Sequence, residues 1–448
     1  MNLNGFDHFW QQAVDVMWGL PLVFLVAATA LYFAFLCRLL PFLRLRHTFD
    51  LLRGRYDNPG DPGEIPHFQA LSSALSGTIG MGNIAGVAIA ISMGGPGAIF
   101  WMWMAGLLGM CTKFFTCTLA CMYRQRDEDG IAQGGPMYFI EVGLGHRFKP
   151  LALMFAVCGM MGCLPLFQAN QFAGLLQAEW GVDRTATGLV AMVFVGAVIL
   201  GGIRRVGAVT SRLVPLMFIV YFFSSVLVII SHYEIIPALF AEIFNAAFGG
   251  QAVLGGAVGL TFKEVLVTGV KRAVFSNEAG LGTEALAHGA AQTGEPVREG
   301  LVAMTGPFID TIIICTLTAL VILSAGVSPS GNGVAMTADA FEQTLPYLGS
   351  VVLLITFSLF AVSTMISYSY YSVKCARYLL GKRIGGQYVY IYLLLIPVAA
   401  SWNQATAVNI IDTAFALMVI PTLTATTLLA PKVVEEMRRY FKELERSG

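Results

Sequence analysis

The side chains best placed to do chemistry in this sequence are oxygen and amide groups beside two glycine-broken stretches. The first reads Ser76-Gly77-Thr78-Ile79-Gly80-Met81-Gly82-Asn83, and the second Phe275-Ser276-Asn277-Glu278-Ala279-Gly280-Leu281-Gly282. Each lies near the middle of an apolar segment of membrane length. Hydrocarbon offers the backbone no hydrogen bonds, so non-helical chain persists there only when buried in protein or lining a wet cavity. Glycines 80, 82, 280 and 282 let the chain leave the helix. The carbonyls freed around Ser76 and Ile79, with the side chains of Thr78 and Asn83, can coordinate a monovalent cation, and a half-helix N-terminus can hold a carboxylate. A matched pair of broken segments points to a transporter's binding site. The competing reading of Gly82 to Gly86 is a small-xxx-small packing motif.

Other polar groups interrupt apolar stretches. Glu278 lies at membrane depth, where an ionisable group suggests function; capping exposed amides or pairing with Lys271 or Arg272 is the structural alternative. Phe275 can lid a solute or pack. Phe360, Thr364, Tyr368 and Tyr371 share one helix face, flanked by Ser363 and Ser367. The adjacent hydroxyls of Ser363 and Thr364 would complete a sodium site facing an unwound partner, unless they bond back to their own helix. Gln168, Asn170 and Gln171 follow Pro165 and offer amides to a zwitterion or to a neighbouring helix. Lys113, Asp310 and Asp412 read as structural pairing or snorkelling. Of the six histidines, only His288 falls deep in a span, and it reads as packing.

These groups need a scaffold, and composition names its class. Hydrophobic residues make up 56% of the 448 and charged residues 12%, half of the roughly 25% in a soluble domain. Mean hydropathy is +0.70. A net charge of zero gives nucleic acid no footprint. The eight cysteines fall in or beside apolar segments without metal-ligand spacing and read as small buried hydrophobes. No cleavable signal peptide is visible.

Eleven segments approach the roughly 20 residues a span needs. They cover 16–43, 68–92, 97–123, 150–178, 186–203, 213–232, 262–291, 300–326, 350–380, 387–402 and 406–430, while 233–261 reads as a surface loop with short helices. With the N-terminus outside, 22 of the 27 Lys and Arg fall on one face, which is therefore cytoplasmic. Setting the first span aside leaves two sets of five, each opening with a glycine break. An odd number per set makes the halves cross in opposite senses, an inverted-topology repeat with both breaks at the midplane. The domains follow: 1–67 an extra N-terminal transmembrane helix and cytoplasmic loop, 68–261 the first repeat and an extracellular loop, 262–430 the second repeat, and 431–448 a charged cytoplasmic tail.

Four stretches carry a family resemblance: Gly82-Asn-Ile-Ala-Gly-Val87, Gly94-Gly-Pro-Gly-Ala-Ile-Phe-Trp-Met-Trp103, Gly134-Gly-Pro-Met-Tyr138, and Gly269-Val-Lys-Arg272 running into Phe275-Ser-Asn-Glu-Ala-Gly280. Through them the chain resembles, over essentially its whole length, the alanine or glycine:cation symporters of the amino acid–polyamine–organocation group. The resemblance implies an all-α integral membrane protein with a leucine-transporter-like 5+5 inverted repeat plus one N-terminal helix. It also implies symport of a small neutral amino acid with sodium, or in some members protons. By position, Thr78, Asn83, Gln168, Phe275 and Ser276 would line the amino-acid site, while Ser363 and Thr364 with carbonyls of Ser76 and Ile79 would bind sodium. The chain departs from the family at Met81, where threonine is usual, at Thr283-Glu284-Ala285 in place of Ser-Ala-Pro, and at Ser367-Tyr368 in place of Gly-Trp. A phenol is smaller than an indole and carries a polar oxygen, so Tyr368 would admit a larger polar solute such as glutamine.

The reading is therefore a sodium-coupled importer of a small neutral amino acid in the inner membrane, working by alternating access. Membrane lipid is its surroundings, and no organic cofactor or obligate protein partner is implied. An ion channel also uses unwound carbonyls and is the rival from another class. No Ser-His-Asp, HExxH or paired aspartates support an enzyme.

Overall fold

The computed structural model describes residues 3–447 apart from 59, 129, 249–260, 328–332 and 347. Apart from one two-residue antiparallel pairing, Gln125–Arg126 with Ala132–Gln133, the described regular structure is helical. Among the described residues, six helices are long and apolar enough to cross a membrane, and two bent pairs raise the number to as many as eight.

The first expected span, 16–43, is a bent pair instead. Gly5–Met17 and Leu20–Leu36 meet at 45°, because Gly19 precedes a helix that restarts with Pro21 in its first turn. Short helices Leu40–Leu43 and Leu45–Leu52 follow. The expected spans 350–380 and 387–402 are two helices within Leu348–Ala400, divided where Gly381 takes φ 76° and ψ 169°. In the 233–261 stretch, Tyr233–Ile235 and Ile236–Ala246 are the expected short helices, and residues 249–260 lie outside the described residues.

The two broken helices hold the centre. The first comprises His67–Thr78 and Gly82–Gly94, bent by 50°. The second comprises Phe262–Asn277 and Glu284–His288. Packed around them are Gly97–Met122, the segment Pro296–Ala325, Leu348–Ala400 and Gln404–Ser447. Large apolar residues face outward along Gly202–Ser231, among them Phe223 and Ile230, as lipid requires. All eight cysteines are buried and unpaired.

Candidate functional site

The two breaks are built differently. At the first, Ile79 has ψ 95°, which turns its carbonyl out of helical register, and neither Gly80 nor Gly82 takes a positive φ. Gly80 is there for space: a Cβ would lie 2.2 Å from Thr364 Oγ1 and 3.8 Å from the Phe360 carbonyl oxygen. At the second, Glu278 (φ 58°), Gly280 (φ 95°) and Gly282 (φ 86°) adopt the left-handed region, so there the glycines serve the backbone itself. The packing-motif alternative fails at Gly86, where a Cβ would meet nothing within 4 Å.

Around the first break the structure gathers Ser76, Ile79, Gly80, Ser363 and Thr364. Ser76 Oγ donates to the Ser363 carbonyl at 2.7 Å. Ser363 Oγ donates back to Phe360 O at 3.0 Å, leaving its lone pairs as acceptor positions. Thr364 Oγ1 has no hydrogen-bond partner although Thr364 is only 1% exposed. A buried hydroxyl without a partner costs on the order of 1–3 kcal/mol, so this oxygen is suited to something that enters. Below it, Ser367 Oγ and Tyr371 OH both donate to Ser73 O, at 2.8 and 3.4 Å, joining Leu348–Ala400 to the first broken helix. Thr78 is turned inward on its own helix, its hydroxyl 3.4 Å from Leu75 O.

Asn83 and Asn277 play matching parts. Each side-chain oxygen accepts a backbone N–H of its own break, from Gly80 at 2.8 Å and Ala279 at 2.9 Å. Each side-chain nitrogen then reaches Pro296–Ala325. Asn83 Nδ2 donates to Asp310 Oδ1 at 2.6 Å, and Asn277 Nδ2 to Thr311 Oγ1 at 2.9 Å. Ser276 and Thr311 donate to Asp310 Oδ2, at 2.9 and 2.8 Å. Asp310, read from sequence as structural pairing or snorkelling, is the fully buried hub between both breaks. The signal that could have found it is the one applied to Glu278: a carboxylate inside an apolar segment.

Glu278 does not pair with Lys271 or Arg272. Tyr368 OH donates to its Oε1 at 2.7 Å and Thr283 Oγ1 to its Oε2 at 2.5 Å. Tyr368 and Thr283 thus hold one carboxylate between them. Lys271 and Arg272 grip Asp412 Oδ2 instead, at 2.7 and 3.0 Å, which bears out pairing for Asp412. Lys113, Asp310 and Asp412 are all buried, so none of them snorkels. Phe275 stands between Phe167 and Phe415, with ring centroids 5.3 and 5.6 Å away. Its Cδ1 lies 3.4 Å from where a Gly82 Cβ would be. Gln168 Oε1 is buried without a partner, whereas Asn170 Nδ2 donates to Trp402 O at 2.6 Å as interhelical glue. At the far ends of the broken helices, His67 and His288 each bond Glu299. His288 therefore does more than pack, and His67 was missed because it stands at the very start of its helix.

This architecture recurs in known proteins. The structure aligns with that of MhsT in complex with L-phenylalanine at TM-score 0.60 and 13% identity, over 83% of this chain and 90% of that one. The sequence matches the sodium:alanine symporter family over residues 4–448. The chain belongs to that family. The sodium/alanine symporter AgcS of Methanococcus maripaludis is 38% identical over 96% of each chain. The probable sodium/glutamine symporter GlnT of Bacillus subtilis is 31% identical over 98% of this chain and 91% of its own. This symporter family member is thus a multi-pass membrane protein for amino-acid transport.

Proposed function

We propose that this symporter imports a small neutral amino acid of the alanine or glycine class together with sodium, by alternating access. The observation that carries the reading is Thr364 Oγ1, buried, without a partner and pressed against Gly80. Hard cations take oxygen ligands from several directions. The Ser76 and Ile79 carbonyls and the Ser363 and Thr364 hydroxyls supply them here, with the Phe360 carbonyl close by. The solute's place is above, with Thr78, Gly80, Gly82, Asn83, Ser276 and Gly280 at the breaks, Gln168 to one side and Phe275 as its lid. Tyr368 bounds this place with its ring, while its hydroxyl is engaged by Glu278. Ion and solute share the first broken helix, so each stabilises the same closed state.

Eleven spans and a 5+5 inverted repeat suit this mechanism. Support comes from the six long helices, the two bent pairs, Arg184–Ile199, the second broken helix and the Gly381 division of Leu348–Ala400. The domain limits then stay at 67, 261 and 430. Lys and Arg placement puts the N-terminus outside and the tail in the cytoplasm of the inner membrane. A larger polar solute such as glutamine is favoured by one observation, the unpartnered Gln168 Oε1, which could accept a solute amide.

A thermal-shift screen of the purified protein against neutral amino acids, with and without sodium, tests the reading. Alanine or glycine should stabilise most, and only with sodium. Replacing Ser363 and Thr364 together by Ala should raise the half-saturating sodium concentration about tenfold, the effect of losing roughly 1.4 kcal/mol of ligation. An unchanged sodium dependence would move the ion elsewhere.

A further inference from the structure

A cavity of about 500 Å³, with no residue of either break in its lining, lies between the helix ends that meet at the Leu200–Gly201 turn and the Gly381 division of Leu348–Ala400. Lys374, Arg377 and Arg383 line it. The chain reversal at Gly381 brings them together: Gly385 packs so closely that a Cβ there would lie 2.4 Å from Arg377 Cα.

Among the described residues its cations lack a close counter-ion. Lys374 is 3% exposed, and its ammonium donates to Leu286 O at 3.1 Å and Tyr370 OH at 3.0 Å, both neutral. Among the described residues, none of the three cations pairs with a carboxylate within 4.0 Å. Asp127, which acts on Lys374 from across the loop, is held by Ile131 N–H at 2.9 Å and Gln133 Nε2 at 3.0 Å. A buried cation with neutral partners and two arginines beside an open volume call for an anion, and the guanidinium fork matches phosphate oxygens.

The cavity walls are largely apolar, including Ile203 and Val206. The neighbouring surface exposes Leu200, Ile384 and Tyr390 at 57%, 63% and 59%. A free inorganic ion has no use for such a flank, whereas an acyl chain does. Basic pockets between transmembrane helices on the cytoplasmic side suit anionic headgroups, and the Lys and Arg distribution places this end of the helices there.

We infer that this cavity seats the phosphate headgroup of an anionic phospholipid from the inner leaflet. The site goes beyond the transport reading and needs none of its residues. Because Lys374 also holds the carbonyl of Leu286 in the inner half of the second broken helix, the lipid contacts a part that alternating access must move.

Native mass spectrometry of the full chain, released from detergent with phosphatidylglycerol or phosphatidylcholine, tests the site. The wild type should retain phosphatidylglycerol preferentially. Arg377→Gln with Arg383→Gln should weaken that retention roughly fivefold per arginine, the usual effect of a near-surface basic residue on anionic lipid. The amino-acid-induced thermal shift should persist, which shows the variant is folded. Equal retention of the two lipids, or undiminished retention by the folded double variant, overturns the proposal. Displacement of the lipid by millimolar inorganic phosphate makes the cavity a free-anion site, and displacement by the transported amino acid makes it the exit vestibule. Either result also overturns it.

Discussion

Asn83 carries two tasks with one amide, closing its own break through Gly80 N–H and tying it to Asp310. Removing that amide leaves a buried carboxylate short of a donor, a loss of roughly 1.5–3 kcal/mol for a bond to a charged group. Asn83→Ala should therefore lower uptake at least tenfold while the protein still inserts, checked by uptake into proteoliposomes at matched protein content. Normal uptake by the variant would remove Asn83 from the site. Tyr368 differs, because its hydroxyl is engaged by Glu278. Tyr368→Phe should lower stability by about 1–3 kcal/mol, the cost of an under-satisfied buried carboxylate, with the order of preferred substrates unchanged. Tyr368→Trp should narrow the range toward glycine and alanine. If the ranking shifts in the Phe variant instead, the phenol oxygen itself reads the solute.

Among the elements, the charged tail has the contacts its sequence did not reveal. Gln404–Ser447 extends as one helix, and Arg439 grips Glu295 at 2.5 Å and Glu436 at 2.6 Å. Tyr440 OH lies 2.7 Å from His47 Nε2, and Arg298 reaches Tyr440 OH at 3.4 Å. Burial, followed by the charge of Arg298, pushes His47 below its ordinary value, with Arg44 adding to the effect and Asp50 opposing it. The undocked state therefore binds more protons in the window between the two values, so docking is favoured as pH rises. Its contribution is complete above about 6.5, the unperturbed histidine value, and fades as pH falls below it. Hydrogen exchange over residues 432–447 should accelerate between pH 7.5 and 5.5 after correction for intrinsic rates, and His47→Gln should abolish that pH dependence. A pH response surviving in His47→Gln would assign it to another group.

Across the whole molecule, closure is layered on one side of the breaks. Phe275 and its aromatic neighbours lie next to the first break, and beyond them Asp412 draws in Lys271 and Arg272 from the second broken helix. Trp18, between the two bent N-terminal helices, donates its indole N–H to Asp412 O at 2.9 Å, so the extra segment fastens the same layer. Asp412→Asn leaves buried Arg272 and half-buried Lys271 without their counter-charge, and breaking a buried pair costs roughly 3–5 kcal/mol. We expect the variant to melt lower and to accept membrane-impermeant thiol reagents at a cysteine placed at Phe415, where the parent cysteine variant is protected. Equal protection in both would assign the closure to the aromatic cluster alone.

The sequence by itself determined the class of molecule and its centre. Apolar runs of bilayer length follow from the cost of unpaired backbone in lipid, and the two glycine breaks defy that cost, so both were legible at residue resolution. The family followed from long local motifs for the same reason: they read along the chain. Partner choice was not legible. Nothing local shows that Glu278 meets Tyr368, ninety residues on, or that Lys271 and Arg272 take Asp412, because these pairings depend on which helix faces which. Asp310 was undervalued because the donors that make it a hub arrive from two other helices. Gly80 was read as backbone freedom, and tertiary structure made it a matter of room for Thr364. Patterns of solubility and backbone satisfaction belong to the chain, whereas the pairing of buried polar groups belongs to packing, where each must find its partner across space.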